Sequence, residues 1–142
     1  MDNNLKKQQG LAAIEMLIAT PVLLFFLVLV LELGNILIHY NIISKSVQNG
    51  VRYAVSEVYG TKGGTLAPTA EIQNVVVYGK NTAGTAILSS LATSDVVVTP
   101  PSADSYVRVT VNYDYVPHFL SIPFSSESLS VPLSVSSVMR VF

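Results

Sequence analysis

The chain has no cysteine, which excludes disulfide frameworks, thiolate zinc sites, cysteine nucleophiles and the lipid-modified cysteine of a lipoprotein. It is also poor in charge: only 12% of its 142 residues are Asp, Glu, Lys or Arg, and the net charge is −1. A chain so balanced carries no basic surface for nucleic acid. Its two histidines, His39 and His118, are far apart and have no second ligand at metal spacing. "YGKNTAGT" lacks the first glycine and the Ser/Thr of a phosphate loop, "GTKGGT" fails in the same way, and the serines lack a nucleophile elbow. Glu71, Asp95, Asp104, Asp114 and Glu127 are scattered acids that suit solvated faces or turns. Nothing here points to an enzyme, a metal or a cofactor.

What the chain has in excess is apolar residues. Half of it is hydrophobic, the mean hydropathy is +0.50, and no charge falls between Met16 and Leu31. The 21 residues from Leu11 to Leu31 would span about 31 Å as a helix, the thickness of a hydrocarbon core. Lys6 and Lys7 precede this run and the next positive charge is Lys45. The positive-inside rule then puts the N-terminus in the cytoplasm and the residues after Glu32 outside.

Glu15 is the anomaly in this segment. A carboxylate at the centre of a bilayer costs roughly 2.5–3.5 kcal/mol, somewhat less near an end. A secretory cleavage after the apolar run would put Glu32 at −3 of a cut after Gly34, a poor site. A plain signal anchor leaves Glu15 to snorkel toward the interface. Cleavage between Gly10 and Leu11 accounts for more. The new α-amino group, with a pKa of about 7.7–8.0, would be largely cationic, and Glu15 is the fifth residue after the cut. One helical turn separates the two, and the helix dipole favours a carboxylate there. Glu15 would neutralise the amine of its own chain or of a neighbour. A short basic leader ending in glycine, followed by this glutamate, is the pattern of type IV pilin-like precursors.

The stretch "GLAAIEMLIATPVLLFFLVLVLELGN" with "NGVRYA" at residues 49–54 resembles the TadE-like minor pilins of tight-adherence (Flp, type IVb) pili. The shared positions are Gly10, Glu15, Pro21, Glu32 and Gly34, then Asn49, Gly50, Val51, Arg52, Tyr53 and Ala54. Met16 stands where the family usually has an aromatic, and Asn35 where an arginine is common. "VRVTVNYDYVP" and "LSVSSVMRVF" look like the family's terminal strands. The resemblance implies a pilin-like structural or assembly protein, held in the bacterial inner membrane or incorporated in an extracellular pilus. It implies as partners a prepilin peptidase, a major Flp-type pilin, a second minor pilin and an inner-membrane assembly platform. Gly10 and Leu11 would be the processing site and Glu15 the subunit-pairing residue, with Pro21, Glu32, Gly34 and Arg52 as interface or structural positions. An unprocessed, signal-anchored periplasmic binding or adhesion module is the alternative. A type II secretion pseudopilin is a closer variant, although its helix usually lacks the second glutamate–glycine element.

The residues predict an α+β chain, with a long helix packed on a small, mainly antiparallel sheet. Residues 1–10 are the leader, 11–32 the membrane half of the helix, 33–59 its amphipathic outer half and 60–142 a β-rich domain. Leu33, Ile36, Leu37, Tyr40, Ile43, Val47, Val51, Ala54 and Val58 recur at spacings of three and four, with Asn35, His39, Lys45, Gln48, Asn49, Arg52 and Ser56 largely opposite. Pro21 is expected to kink the membrane half. "IQNVVVYG" (72–79) and "DVVVTP" (95–100) read as strands, and "NTAGTAILSSLATS" (81–94) as either a short helix or loop. In "YVRVTVNYDYV" alternate residues Val107 to Tyr115 predict a half-buried strand. "SLSVPLSVSSVMRV" alternates through Leu129, Val131, Leu133 and Val135, with Pro132 marking an edge or bulge.

Overall fold

The computed structural model describes residues 2–60, 64–101, 105–117 and 130–141, with side chains from Leu11 onward. His118, Glu127 and Leu129 lie outside the described residues, as does Asp104. Helix α1 runs from Asp2 to Tyr59. The chain divides into two compact units, Met1–Asn35 and Ile36–Phe142.

The first unit is α1 alone. Its apolar side chains from Leu11 to Leu31 are almost all exposed. A helix this long and apolar can cross a membrane. Pro21 lies inside the helix and has no N–H to give the carbonyl of Leu17. Beside it, the Thr20 hydroxyl donates to the Met16 carbonyl at 2.6 Å. Such back-bonding from a threonine to the preceding turn often accompanies a bend.

The second unit holds the rest of α1, a second helix and a sheet. Helix α2 spans Thr69–Tyr78, and strands β1 (Val96–Thr99), β2 (Tyr106–Tyr115) and β3 (Val131–Arg140) form an antiparallel sheet in the order β1-β2-β3. The expected α+β architecture is therefore present. Val111 pairs with Val96 on one side and Val135 on the other, so residues of one parity share the inner face. Val107, Val109, Val111, Tyr113 and Tyr115 are all buried there, against Ile43, Val47, Val51 and Ala54 of α1 in one apolar cluster. The stretch 81–94 forms loop and bends, with a single 3-10 turn at Thr93–Asp95. β3 is an outer strand of the sheet, with Pro132 opposite Asp114. Pro132 fits an edge position because no further described strand asks it for a donor.

Two expectations need correction. Residues 72–79 are not a strand: Thr69–Tyr78 is helical. The β-branched run Val75–Val77 favours a strand only weakly, because such propensity yields to context. The ends decide otherwise. Pro68 precedes the first turn, Glu71 lies within it, and Gly79 closes the helix in the left-handed conformation, φ 72°, with its N–H on the Val75 carbonyl at 3.0 Å. Ile72, Val75 and Val76 then fall on one buried face at helical spacing.

The second correction concerns the apolar stripe of α1. Ile43, Val47, Val51 and Ala54 are buried as expected, but Leu33, Leu37 and Tyr40 are exposed. The buried face also takes in Ser46, Gly50 and Val55. It is therefore rotated toward smaller residues, because α2 needs room. A Cβ on Gly50 would collide with Val76 Cγ2. Ser46, Gly50 and Ala54, four residues apart, form the shallow side of α1 that admits α2. Ser46 Oγ also donates to the Val76 carbonyl, and the Ile87 N–H reaches the Val77 carbonyl at 2.8 Å. Those carbonyls belong to the last turn of α2 and have no partner within the helix.

Candidate assembly interface on the N-terminal helix

The expected processing junction, Gly10–Leu11, lies within continuous helix, and Leu11 is exposed. Glu15 is exposed one turn later, at the i,i+4 spacing that lets a side chain reach a group at position 11. These residues are brought together by local helix geometry alone. Pro21 is exposed in the same unit. Glu32 and Gly34 lie close together at its far end, both partly exposed. Seventeen residues separate Glu15 from Glu32, about 25 Å of helical rise, so the two carboxylates do not form one site. A Cβ on Gly34 would meet nothing within 4 Å, so this glycine is not required by packing inside the chain.

Arg52 belongs to the second unit, where it is exposed on the face of α1 turned away from the core. Its neighbour Tyr53 has a defined role. The Tyr53 hydroxyl donates to Glu71 Oε2 at 2.6 Å, linking α1 to the first turn of α2. That hydrogen bond, with a smaller contribution from burial, raises the Tyr53 pKa above its usual 10.0.

His39, expected on the polar side of α1, is instead half-buried and turned to the sheet. Its ring makes an edge contact with Tyr115, centroids 4.9 Å apart, and its Nδ1 lies 3.2 Å from the Tyr113 hydroxyl. The same hydroxyl accepts a 2.8 Å hydrogen bond from Ser90 Oγ. His39 and Tyr113 are 74 residues apart, too far for periodicity to connect them. The alternation of β2 does place Tyr113 and Tyr115 on one face, which is the one available signal. This group fastens α1 to the end of β2. Among the described residues there is no cluster of three or more His, Asp or Glu side chains able to hold a metal ion.

The described residues present an exposed apolar helix, a carboxylate one turn from Leu11, and a folded unit braced by helix–helix and helix–strand hydrogen bonds. Neither the curated proteins nor the solved structures include a match to this chain. The family model described as TadE-like protein does match it, over residues 10–52, from the glycine of the proposed leader to the exposed arginine of α1.

Proposed function

We propose that this protein is a pilin-like structural or assembly subunit, a minor pilin or pseudopilin, that supports biogenesis of a tight-adherence pilus. The observation that carries the proposal is Glu15, exposed one turn from Leu11 on an apolar helix, inside the segment that matches the TadE-like family. The precursor inserts with its N-terminus in the cytoplasm, and a prepilin peptidase cuts after Gly10. The freed amine of Leu11 is then a cation at the head of a membrane helix, and Glu15 neutralises it in the same chain or in a neighbouring subunit. A subunit whose amine lacked such a partner would carry a desolvation penalty on entering a bundle of helices. The partners are other pilin-like subunits, a major Flp-type pilin and a second minor pilin, together with the inner-membrane assembly platform. The role is structural, and no reaction is assigned to the chain.

Intact mass and N-terminal sequencing test the first step, on protein recovered from membranes with and without the native prepilin peptidase. A start at Leu11 that depends on the peptidase is the expected result. A start ahead of Gly10 in both backgrounds would overturn processing and favour an ordinary signal-anchored module.

A further inference from the structure

Helix α1 begins at Asp2 and passes without a break through the expected processing junction. In an α-helix each N–H donates to the carbonyl four residues earlier. The Gly10 carbonyl therefore accepts from the Ile14 N–H, and the Leu11 N–H donates to the Lys7 carbonyl. The amide to be cut is engaged at both ends. Hydrolysis needs it otherwise. A water oxygen bonds to the Gly10 carbonyl carbon, the bond to the Leu11 nitrogen breaks, and a Gly10 carboxylate and a Leu11 ammonium result. The carbonyl oxygen gathers negative charge on the way and calls for donors from the enzyme. The leaving nitrogen calls for a proton from a positioned acid. An intact helix withholds both atoms.

The sequence shows where that helix can give way. Residues 2–10 include one large apolar residue, Leu5. Burial can support such a stretch only weakly, and isolated helices this short are marginal in water. From Leu11 onward the balance reverses. Within hydrocarbon an opened N–H or C=O finds no water, so the helix holds. Gly10 stands at the boundary. Glycine is poor inside a helix but well accepted at its N-cap, whereas alanine is the reverse. Gly10 therefore favours a helix that starts at Leu11. Such a helix leaves the N–H groups of residues 11–14 without helical partners, and so frees the carbonyls of residues 7–10.

We propose that the peptidase acts on a form of α1 that starts at Leu11, with the leader unwound, and that Gly10 sets where the helix restarts. The proposal rests on the reading that the chain is cut after Gly10. It goes beyond that reading by placing a helix-opening equilibrium ahead of the cut. When opening and closing are fast, the rate of cutting follows the population of the open form. Helix propensity in the leader then tunes processing, even at positions that the enzyme does not touch.

Gln8 provides the test, because alanine, valine and glycine rank differently by size and by helix propensity. The full chain carrying Gln8→Ala, Gln8→Val or Gln8→Gly is digested in detergent by the native prepilin peptidase, at substrate concentrations below KM. Intact mass follows the first-order rate. Relative to Gln8→Ala, the expected rate is about fivefold higher for Gln8→Gly and about twofold to threefold higher for Gln8→Val. Amide exchange at residues 11–14, followed by NMR in the same detergent, should be slowed in the wild type and should quicken in the same order. Equal rates would overturn the proposal. Rates that fall steadily from glycine through alanine to valine would also overturn it, and would point to a size-limited contact in the enzyme. Unprotected amides in the wild type would do the same, since no helix would need opening. If the wild type is not cut after Gly10 at all, the processing reading fails, and this proposal with it.

Discussion

Tyr53 Oη lies 2.6 Å from Glu71 Oε2, so the outer part of α1 and the first turn of α2 are joined by a hydrogen bond to an ionisable acceptor. Hydrogen bonds to charged groups contribute about 1.5–3 kcal/mol when well shielded. This pair is only partly buried, which points to the low end of that range. Tyr53→Phe is therefore expected to lower stability by about 1 kcal/mol, read as the thermal midpoint of the full chain in detergent. The pH dependence has a definite sign. The folded-state pKa of Tyr53 is raised, so its contribution is complete below the ordinary value of 10.0 and is lost as pH rises through the folded-state value. The gap between wild type and Tyr53→Phe should be constant at neutral pH and narrow in alkali beyond pH 10.0. A gap that stayed constant into strong alkali would deny the hydroxyl its role.

Gly50 and Gly34 make a matched pair. An added methyl at Gly50 meets Val76, whereas at Gly34 it meets open space. Overpacking a tight contact costs about 1–3 kcal/mol, and replacing a helical glycine by alanine returns roughly 0.5–1 kcal/mol. Gly50→Ala should therefore be a net loss of about 1 kcal/mol or more, whereas Gly34→Ala should be neutral or mildly stabilising. If Gly34→Ala keeps its thermal midpoint but lowers pilus output, Gly34 is needed for contact with another subunit. Normal output would leave it without that role.

The Tyr113 hydroxyl serves both Ser90 and His39, so removing it strands two groups at once. Tyr113→Phe is expected to cost about 1–2 kcal/mol, more than Ser90→Ala, which removes only one of the two hydrogen bonds. Comparing the two thermal midpoints checks this order. Equal losses would mean that the His39 bond contributes nothing.

Glu15→Ala tests the pairing of the carboxylate with the amine of Leu11. The expected outcome is cleavage after Gly10 at close to the normal level, together with loss of surface fibres. Mass spectrometry reads the first and a shearing assay the second. Normal fibres from the processed variant would reject the pairing.

Much of this architecture was legible in the sequence because it rests on local patterns. The alternation from Val107 to Tyr115 became the buried face of β2, and the charge-free run from Met16 to Leu31 became the exposed part of α1. Glu15 stood out as an isolated carboxylate at the head of that run. Helix α2 is hidden behind valine at three successive positions, which favours a strand, although Pro68, Glu71 and Gly79 mark the two ends of a helix. The seating of α2 on α1 was hidden for another reason. It depends on Ser46 and Gly50, small residues whose value lies in what they leave empty, and hydrophobic periodicity does not register empty space. The His39 group needed the fold itself, since 74 residues separate His39 from Tyr113.

β3 also bears on how copies of the chain meet. An outer strand of ten residues could template pairing between identical chains, a hazard for any subunit crowded together with its own kind. Pro132 interrupts the row of donors near one end of that strand. A proline on an outer strand withholds one N–H from the ladder, and strands that carry one are less ready to pair edge-to-edge with a neighbouring chain.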